Sequence, residues 1–208
     1  MLRFSHAAFA VIGLAMFSSI GSAAIIINTD QSASGALGTV QLPGGATGLM
    51  IQGTANDGAL LNILGTETLT APSNGQARVE AVDGSFTSLD IRFSAGQLFQ
   101  RMVFNLDALA TGTATFTAYN QANVATTVTG LSLSSVGQNF INVVASGPDL
   151  ISRVTISSTV GLADIAQIRV NALPADTGIN ANAVPEPSTS GMIGGGMILL
   201  GLLRRKRS

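Results

Sequence analysis

Short runs in which apolar and polar residues alternate fill the middle of this 208-residue chain and constrain its fold most. In FTSLDIRF at 86–93, Leu89, Ile91 and Phe93 alternate with polar or charged neighbours. Such a period of two puts the apolar side chains on one face of a half-buried strand. Val, Ile and Thr, which suit a pleated surface, are frequent in these runs. The pattern predicts strands at 48–54, 60–64, 77–82, 86–93, 101–106, 113–119, 131–133, 139–145, 150–158 and 166–170.

Turn signals separate these runs, among them LPGG at 42–45, NDG at 56–58 and SGPD at 146–149. No long segment between the two ends of the chain keeps a helical period with capping residues. We therefore expect an all-β domain over 25–172, an antiparallel two-sheet sandwich of the jelly-roll or Greek-key kind. A β-helix or other solenoid is the alternative, but no repeat of fixed length is present.

Missing residue types restrict the chemistry of the chain. It contains no Cys, and its one His is His6, close to the N-terminus. Nucleophilic triads, histidine general bases and zinc sites with His or Cys ligands therefore need residues that the rest of the chain lacks. Paired carboxylates can hydrolyse glycosidic bonds, but sugar-cleaving clefts usually also offer aromatic platforms, and the chain has one Tyr and no Trp. We expect no enzyme activity, no catalytic residue and no cofactor.

The N-terminal segment 1–24 has the three-part layout of a secretory signal peptide. A short start with one arginine precedes an apolar stretch, and small residues follow it. We expect a signal helix that signal peptidase removes by cutting after Ala23 or Ala24. A retained anchor helix is the alternative, but the apolar stretch is shorter than the roughly 20 residues of a membrane span. The mature chain is then expected outside the cytoplasm.

The C-terminal part changes composition. Residues 173–183 lack apolar periodicity and predict an extended linker. Residues 189–203 form a glycine-rich apolar run that predicts a short transmembrane helix, which at about 1.5 Å per residue covers less than the about 30 Å of bilayer hydrocarbon. A basic end follows and predicts a membrane stop on the cytoplasmic side. Its residues are Arg204, Arg205, Lys206 and Arg207.

The order of these C-terminal features resembles the PEP-CTERM sorting domain over 184–208. Four residues match its motif and a fifth is a usual successor, and they are Val184, Pro185, Glu186, Pro187 and Ser188. The resemblance implies export in a Gram-negative host that makes exopolysaccharide. It also implies recognition by an exosortase, a membrane-embedded cysteine transpeptidase that cleaves near the motif while the inner membrane holds the precursor transiently.

The body offers few candidate binding residues. Asp83, Asp90 and Asp164 could gather around calcium, yet aspartates in turns and on solvated strand faces are more common, so no metal ligand is assigned. Tyr119 and the threonines on its strand could touch a sugar, although a threonine surface is ordinary in a sheet. Carboxylates outnumber arginines between residues 25 and 182, which argues against nucleic acid as a partner.

These observations favour an exported, non-enzymatic protein of the cell envelope or extracellular matrix, sorted through its C-terminal segment. The alternative is a β-sandwich module at the cell envelope that binds polysaccharide or calcium, with exopolysaccharide as its partner.

Overall fold

The computed structural model describes residues 24–30, 37–73 and 78–173, and these residues form an antiparallel all-β domain without an α-helix. The predicted all-β antiparallel class is therefore confirmed. A short 3-10 turn at Ser94–Gly96 is the one helical element of the described residues. The strands are β1 (Ala24–Asn28), β2 (Gly38–Thr39), β3 (Thr47–Thr54), β4 (Leu60–Thr70), β5 (Arg78–Ala81), β6 (Phe86–Phe93), β7 (Leu98–Ala108), β8 (Gly112–Asn120), β9 (Ala125–Leu133), β10 (Asn139–Ser146) and β11 (Ile151–Leu173).

β11 is the longest strand, with 23 residues, and it has different neighbours along its length. Its first part, 151–158, lies between β6 and β8. Its second part, 162–173, pairs with β7 on one side and with β5 and β2 on the other. One strand thus belongs to two arrays of strands.

The two parts of β11 meet at a corner near Gly161. The pairing register shifts there, between Ser157 and Leu162. A Cβ atom at Gly161 would lie 3.2 Å from Cβ of Ser85 and 3.3 Å from Cδ1 of Leu109, which is tighter than an ordinary contact. The Leu109 amide also donates to the Gly161 carbonyl over 2.9 Å. Glycine therefore allows the chain to pass close to its neighbours at this corner.

β4 also takes part in both arrays. Its residues 61–65 pair with β6, whereas 69–70 pair with β5. One layer consequently has the order β9-β8-β11-β6-β4-β3, and the other has the order β1-β10-β7-β11-β5-β4-β3, with β2 beside β11. All of the strands form one hydrogen-bonded network of 11 strands that folds into these two layers.

The inward faces of the layers share one apolar core. Phe104 of β7 packs against Phe116 of β8 in the opposite layer, with ring centroids 6.3 Å apart. Phe93 of β6 meets Phe99 of β7 edge to face at 5.6 Å. The largest fully buried side chains are Phe86, Phe99, Phe104, Phe116, Ile51, Leu61, Ile63, Leu69, Leu89, Ile91, Met102 and Leu106.

The strand predictions agree closely with this architecture in the centre of the chain. β6 has the predicted bounds, 86–93. The runs at 150–158 and 166–170, predicted as two strands, are parts of the single strand β11. β1 and β2 were not predicted. A parallel β-helix does not fit, because every strand pair here is antiparallel. The jelly-roll or Greek-key connection stays a prediction.

The predicted signal helix within 1–24 and the predicted transmembrane helix at 189–203 lie outside the described residues, except that Ala24 opens β1. In the part of the chain that the structure describes, no helix has the length and hydropathy needed to cross a bilayer.

Replacing Phe116 by alanine tests the shared core. Phe116 is fully buried and contacts the opposite layer through Phe104. We expect Phe116→Ala to lower the free energy of unfolding by about 3–5 kcal/mol, measured by urea denaturation. Thr115→Ala is the control, because it changes the outward-facing neighbour on the same strand. Equal unfolding free energies for the two variants would contradict the proposed packing.

Candidate functional site

The predicted sorting residues lie outside the described part of the chain. They are Val184, Pro185, Glu186, Pro187, Ser188, Arg204, Arg205, Lys206 and Arg207. The described domain finishes with β11 at Leu173. The sorting residues therefore follow the last described strand in the sequence.

The predicted signal cleavage positions lie at the border of the described residues. Ala23 is outside them, whereas Ala24 is the first residue of β1 and pairs with Ser146 of β10. The Ser146 hydroxyl donates to the Ala24 carbonyl over 3.0 Å. A cut after Ala23 would keep this contact, and a cut after Ala24 would remove it.

A row of polar side chains crosses the outward face of one layer. Strand pairing places Tyr119 of β8 opposite Arg153 of β11, and Arg153 opposite Arg92 of β6. The row continues with Asn62 of β4 and Gln52 of β3. We call the outward side of β8, β6, β4, β3 and the first part of β11 the polar face. The opposite side of the same strands contributes to the apolar core.

Arg153 is held in the middle of the polar face by an aromatic ring. Its guanidinium carbon lies 3.8 Å from the Tyr119 ring centroid, a distance at which a cation is attracted to the π-system. Its Nη1 is 3.9 Å from Oδ2 of Asp90, which makes an ion pair but not a direct hydrogen bond. Arg153 therefore keeps hydrogen-bonding capacity that Asp90 does not use.

The far end of the row is a network of amide groups. The Gln52 side-chain amide donates to Asn62 Oδ1 over 2.9 Å, and the Asn62 amide donates to the Ser94 hydroxyl over 2.9 Å. Near the other end, the hydroxyls of Thr117 and Thr127 are 3.0 Å apart across neighbouring strands. The polar face thus offers fixed donors and acceptors on both sides of its two arginines.

The three aspartates considered for calcium occupy separate places. Asp83 lies in the turn between β5 and β6, and Asp90 lies on β6 beside Arg153. Asp164 lies within β11, in the opposite layer, although the sequence had suggested a position just before the last strand. Among the described residues, no group of three or more His, Cys, Asp or Glu side chains is placed to hold a metal ion.

Asp164 instead belongs to an acidic row on the outward side of the other layer. It pairs with Glu80 of β5 on one side and with Asp107 of β7 on the other. Like charges directly opposite on neighbouring strands destabilise a sheet. Arg78 offsets part of this repulsion, because it forms ion pairs with Glu80 and, at 3.6 Å, with Asp164.

Burial gives Asp164 an unusual proton affinity. The residue is 7% exposed, and this desolvation is the main reason why its pKa rises to about 6. The Arg78 guanidinium lowers the pKa, whereas the Asp107 and Glu80 carboxylates raise it further. The carboxyl therefore takes up its proton near pH 6, whereas an ordinary aspartate does so near pH 4.

Sequence reasoning singled out Tyr119 but missed Arg92, Arg153, Asn62 and Gln52. Alternation did place Arg92 on the polar side of its strand. The sequence pattern could not show that Arg92 lies opposite Arg153, because the pairing of β6 with β11 joins residues far apart in the chain.

Comparison with known proteins gives a match in the C-terminal part of the chain, after the last described residue. Residues 183–207 match the family model of the PEP-CTERM protein-sorting motif. The chain therefore carries this sorting motif, and the resemblance seen in the sequence is confirmed. No curated protein and no solved structure matches the chain. The motif implies an exported protein that is processed at the membrane by an exosortase.

Replacing Asp164 by asparagine tests the burial of this carboxyl. Its pKa is about 6 in the folded state against 3.8 for an ordinary aspartate, so the folded state binds the proton more tightly. The free energy of unfolding should then decrease as the pH rises from about 4 to about 6, by up to about 3 kcal/mol. In Asp164→Asn this decrease should disappear, so that the variant is more stable than the wild type above about pH 7.

Urea denaturation at a series of pH values measures this effect. Asp83→Asn is the matched control, because it removes an exposed carboxylate that lies outside this row, in the turn between β5 and β6. A pH profile of Asp164→Asn that runs parallel to the wild-type profile would contradict the assignment.

Proposed function

We propose that this protein is an exported, non-enzymatic component of the cell surface or extracellular matrix, sorted through its Val-Pro-Glu-Pro segment by an exosortase. The observation that carries the proposal is the match of residues 183–207 to the PEP-CTERM sorting motif. The end of β11 at Leu173 supports it, since cleavage near 184–187 leaves every described strand whole.

The proposed route follows the order of the segments. Signal peptidase removes 1–23 or 1–24 during export, and the domain over 25–172 folds outside the cytoplasm. The helix at 189–203 holds the precursor in the inner membrane, with the basic end 204–208 on the cytoplasmic side. The exosortase then cleaves near the motif, and the domain passes to the envelope or matrix.

A role without catalysis is part of this proposal. Apart from His6 the chain has no His and no Cys, so cysteine nucleophiles and, beyond that one residue, histidine general bases are missing. The most perturbed carboxyl of the described domain, Asp164, lies in a row with Glu80, Asp107 and Arg78 on the outward side of a sheet. Buried structural charges also shift pKa values, and this row is of that kind.

A second candidate function is a polysaccharide-binding module held at the cell envelope. The polar face favours it, because fixed donors and acceptors in a row suit the hydroxyl groups of a sugar chain. Calcium binding draws no support from Asp83, Asp90 and Asp164, which lie on separate elements.

Substitutions in the motif test the sorting proposal. We expect Glu186→Ala and Pro187→Ala to accumulate as unprocessed precursor in the inner membrane of the host, because the exosortase no longer recognises the segment. Fractionation of the cells followed by immunoblotting measures the size and location of the protein. Asn180→Ala, in the linker ahead of the matched residues, should be processed like the wild type.

Wild-type size and location for both motif variants would rule out sorting through this segment. The protein would then be a periplasmic protein with a plain C-terminal anchor.

A further inference from the structure

We propose that the polar face binds a linear acidic polysaccharide through the carboxylate groups of its sugars, with Arg92 and Arg153 as the binding residues. This inference rests on the second candidate function, that the domain is a polysaccharide-binding module. It adds the chemical class of the polysaccharide and the residues that select it.

The first argument is the charge of the face. Arg92 and Arg153 are directly opposite each other on neighbouring antiparallel strands, an arrangement that is unfavourable for two like charges. Asp90 is an ion-pair partner for Arg153, at 3.9 Å, while Arg92 has no ion pair within residues 24–30, 37–73 and 78–173. A bound carboxylate would relieve the repulsion between the two guanidinium groups.

The second argument is the preorganisation of Arg153. The Arg153 guanidinium lies over the Tyr119 ring, 3.8 Å from its centroid, and the Arg153 side chain remains 32% exposed. A guanidinium group binds a carboxylate through two parallel hydrogen bonds, and one that is already oriented loses less conformational entropy on binding. Tyr119 therefore acts as a positioning residue for Arg153.

The third argument distinguishes an acidic from a neutral polysaccharide. Neutral sugars are commonly held by stacking on exposed aromatic rings. Tyr119 is the one Tyr of a chain without Trp, and Arg153 already covers a face of its ring. Along this row, recognition can draw on charge and hydrogen bonds, which two arginines and the amides of Asn62 and Gln52 provide.

The fourth argument is the length of the row. Tyr119, Arg153, Arg92, Asn62 and Gln52 stand on five neighbouring strands. With strands about 4.8 Å apart, the row extends over about 19 Å. This length suits several consecutive units of a linear chain better than a single terminal sugar. A polyuronate, which repeats a carboxylate along its length, fits such a row.

Affinity electrophoresis of the protein purified from its host tests the inference. Alginate, a polyuronate, and dextran, a neutral glucan, are the two polysaccharides in the gel. We expect alginate to retard the wild type and dextran not to do so. Because carboxylates outnumber arginines between residues 25 and 182, general electrostatic attraction to alginate cannot account for such retardation.

Arginine variants test the assignment to the polar face. Arg92→Gln should weaken alginate binding about tenfold, the loss of one charge-assisted contact. Arg169→Gln is the matched control with the same change of charge on the other layer, and it should bind like the wild type. Tyr119→Phe should keep the affinity, whereas Tyr119→Ala should reduce it, because only the former retains the ring beneath Arg153. Urea denaturation verifies that each variant is folded.

Three outcomes would overturn the inference. If dextran and alginate retard the protein equally and Arg92→Gln has no effect, the domain binds polysaccharide but does not select an acidic one. Alginate binding that Arg92→Gln leaves unchanged would reject the polar face as the site. No retardation by either polysaccharide would reject both this inference and the second candidate function, while leaving the sorting proposal untouched.

Discussion

The long strand β11 joins the two layers of the domain, because it forms backbone hydrogen bonds in both of them. Its first part completes one layer between β6 and β8, and its second part completes the other beside β7, β5 and β2. No disulfide can assist, since the chain has no Cys. The layers are therefore held by this strand, by β4 and by the core between them. Because β11 ends at Leu173, ahead of the sorting motif at 183–207, removal of the motif leaves every described strand whole.

The same alternation that builds the core also separates the charges of the two outward faces. One layer carries the polar face with Arg92 and Arg153, and the other carries the acidic row of Glu80, Asp164 and Asp107. Both places set like charges on neighbouring strands, but they differ in how the repulsion is relieved. In the acidic row, Arg78 reduces it through its ion pairs with Glu80 and Asp164. On the polar face, Asp90 offsets Arg153 from a distance of 3.9 Å, and Arg92 has no ion pair among the described residues. The polar face is therefore the better place for an external anion.

Sequence patterns predicted the local features of this protein well, because they depend on neighbouring residues. The alternation in 86–93 was sufficient to place β6, and the contiguous motif at 184–188 was sufficient to predict the sorting segment. Alternation could not show that 150–158 and 166–170 are one strand, since GLAD at 161–164 resembles a break. The small size of Gly161 fits a corner within a continuous strand, which requires knowledge of the neighbours Ser85 and Leu109.

The polar face could be predicted only in part for the same reason. Tyr119 and its threonines were visible as one side of a strand, but the meeting of Arg153 with Arg92 depends on pairing between β6 and β11. β1 was not predicted as a strand, because its first residue, Ala24, also fits the small-residue end of a signal peptide. Both strand pairs also join residues far apart in the sequence, since β1 pairs with β10 and β6 pairs with β11.

The intact mass of the protein recovered from the membrane, envelope and medium fractions of its host tests the central claim most directly. The account predicts that the envelope or medium form begins near Ala24 or Ile25 and ends between Val184 and Pro187, with or without an added group. A protein found only in membranes, with a mass that extends to Ser208, would contradict exosortase sorting of this domain.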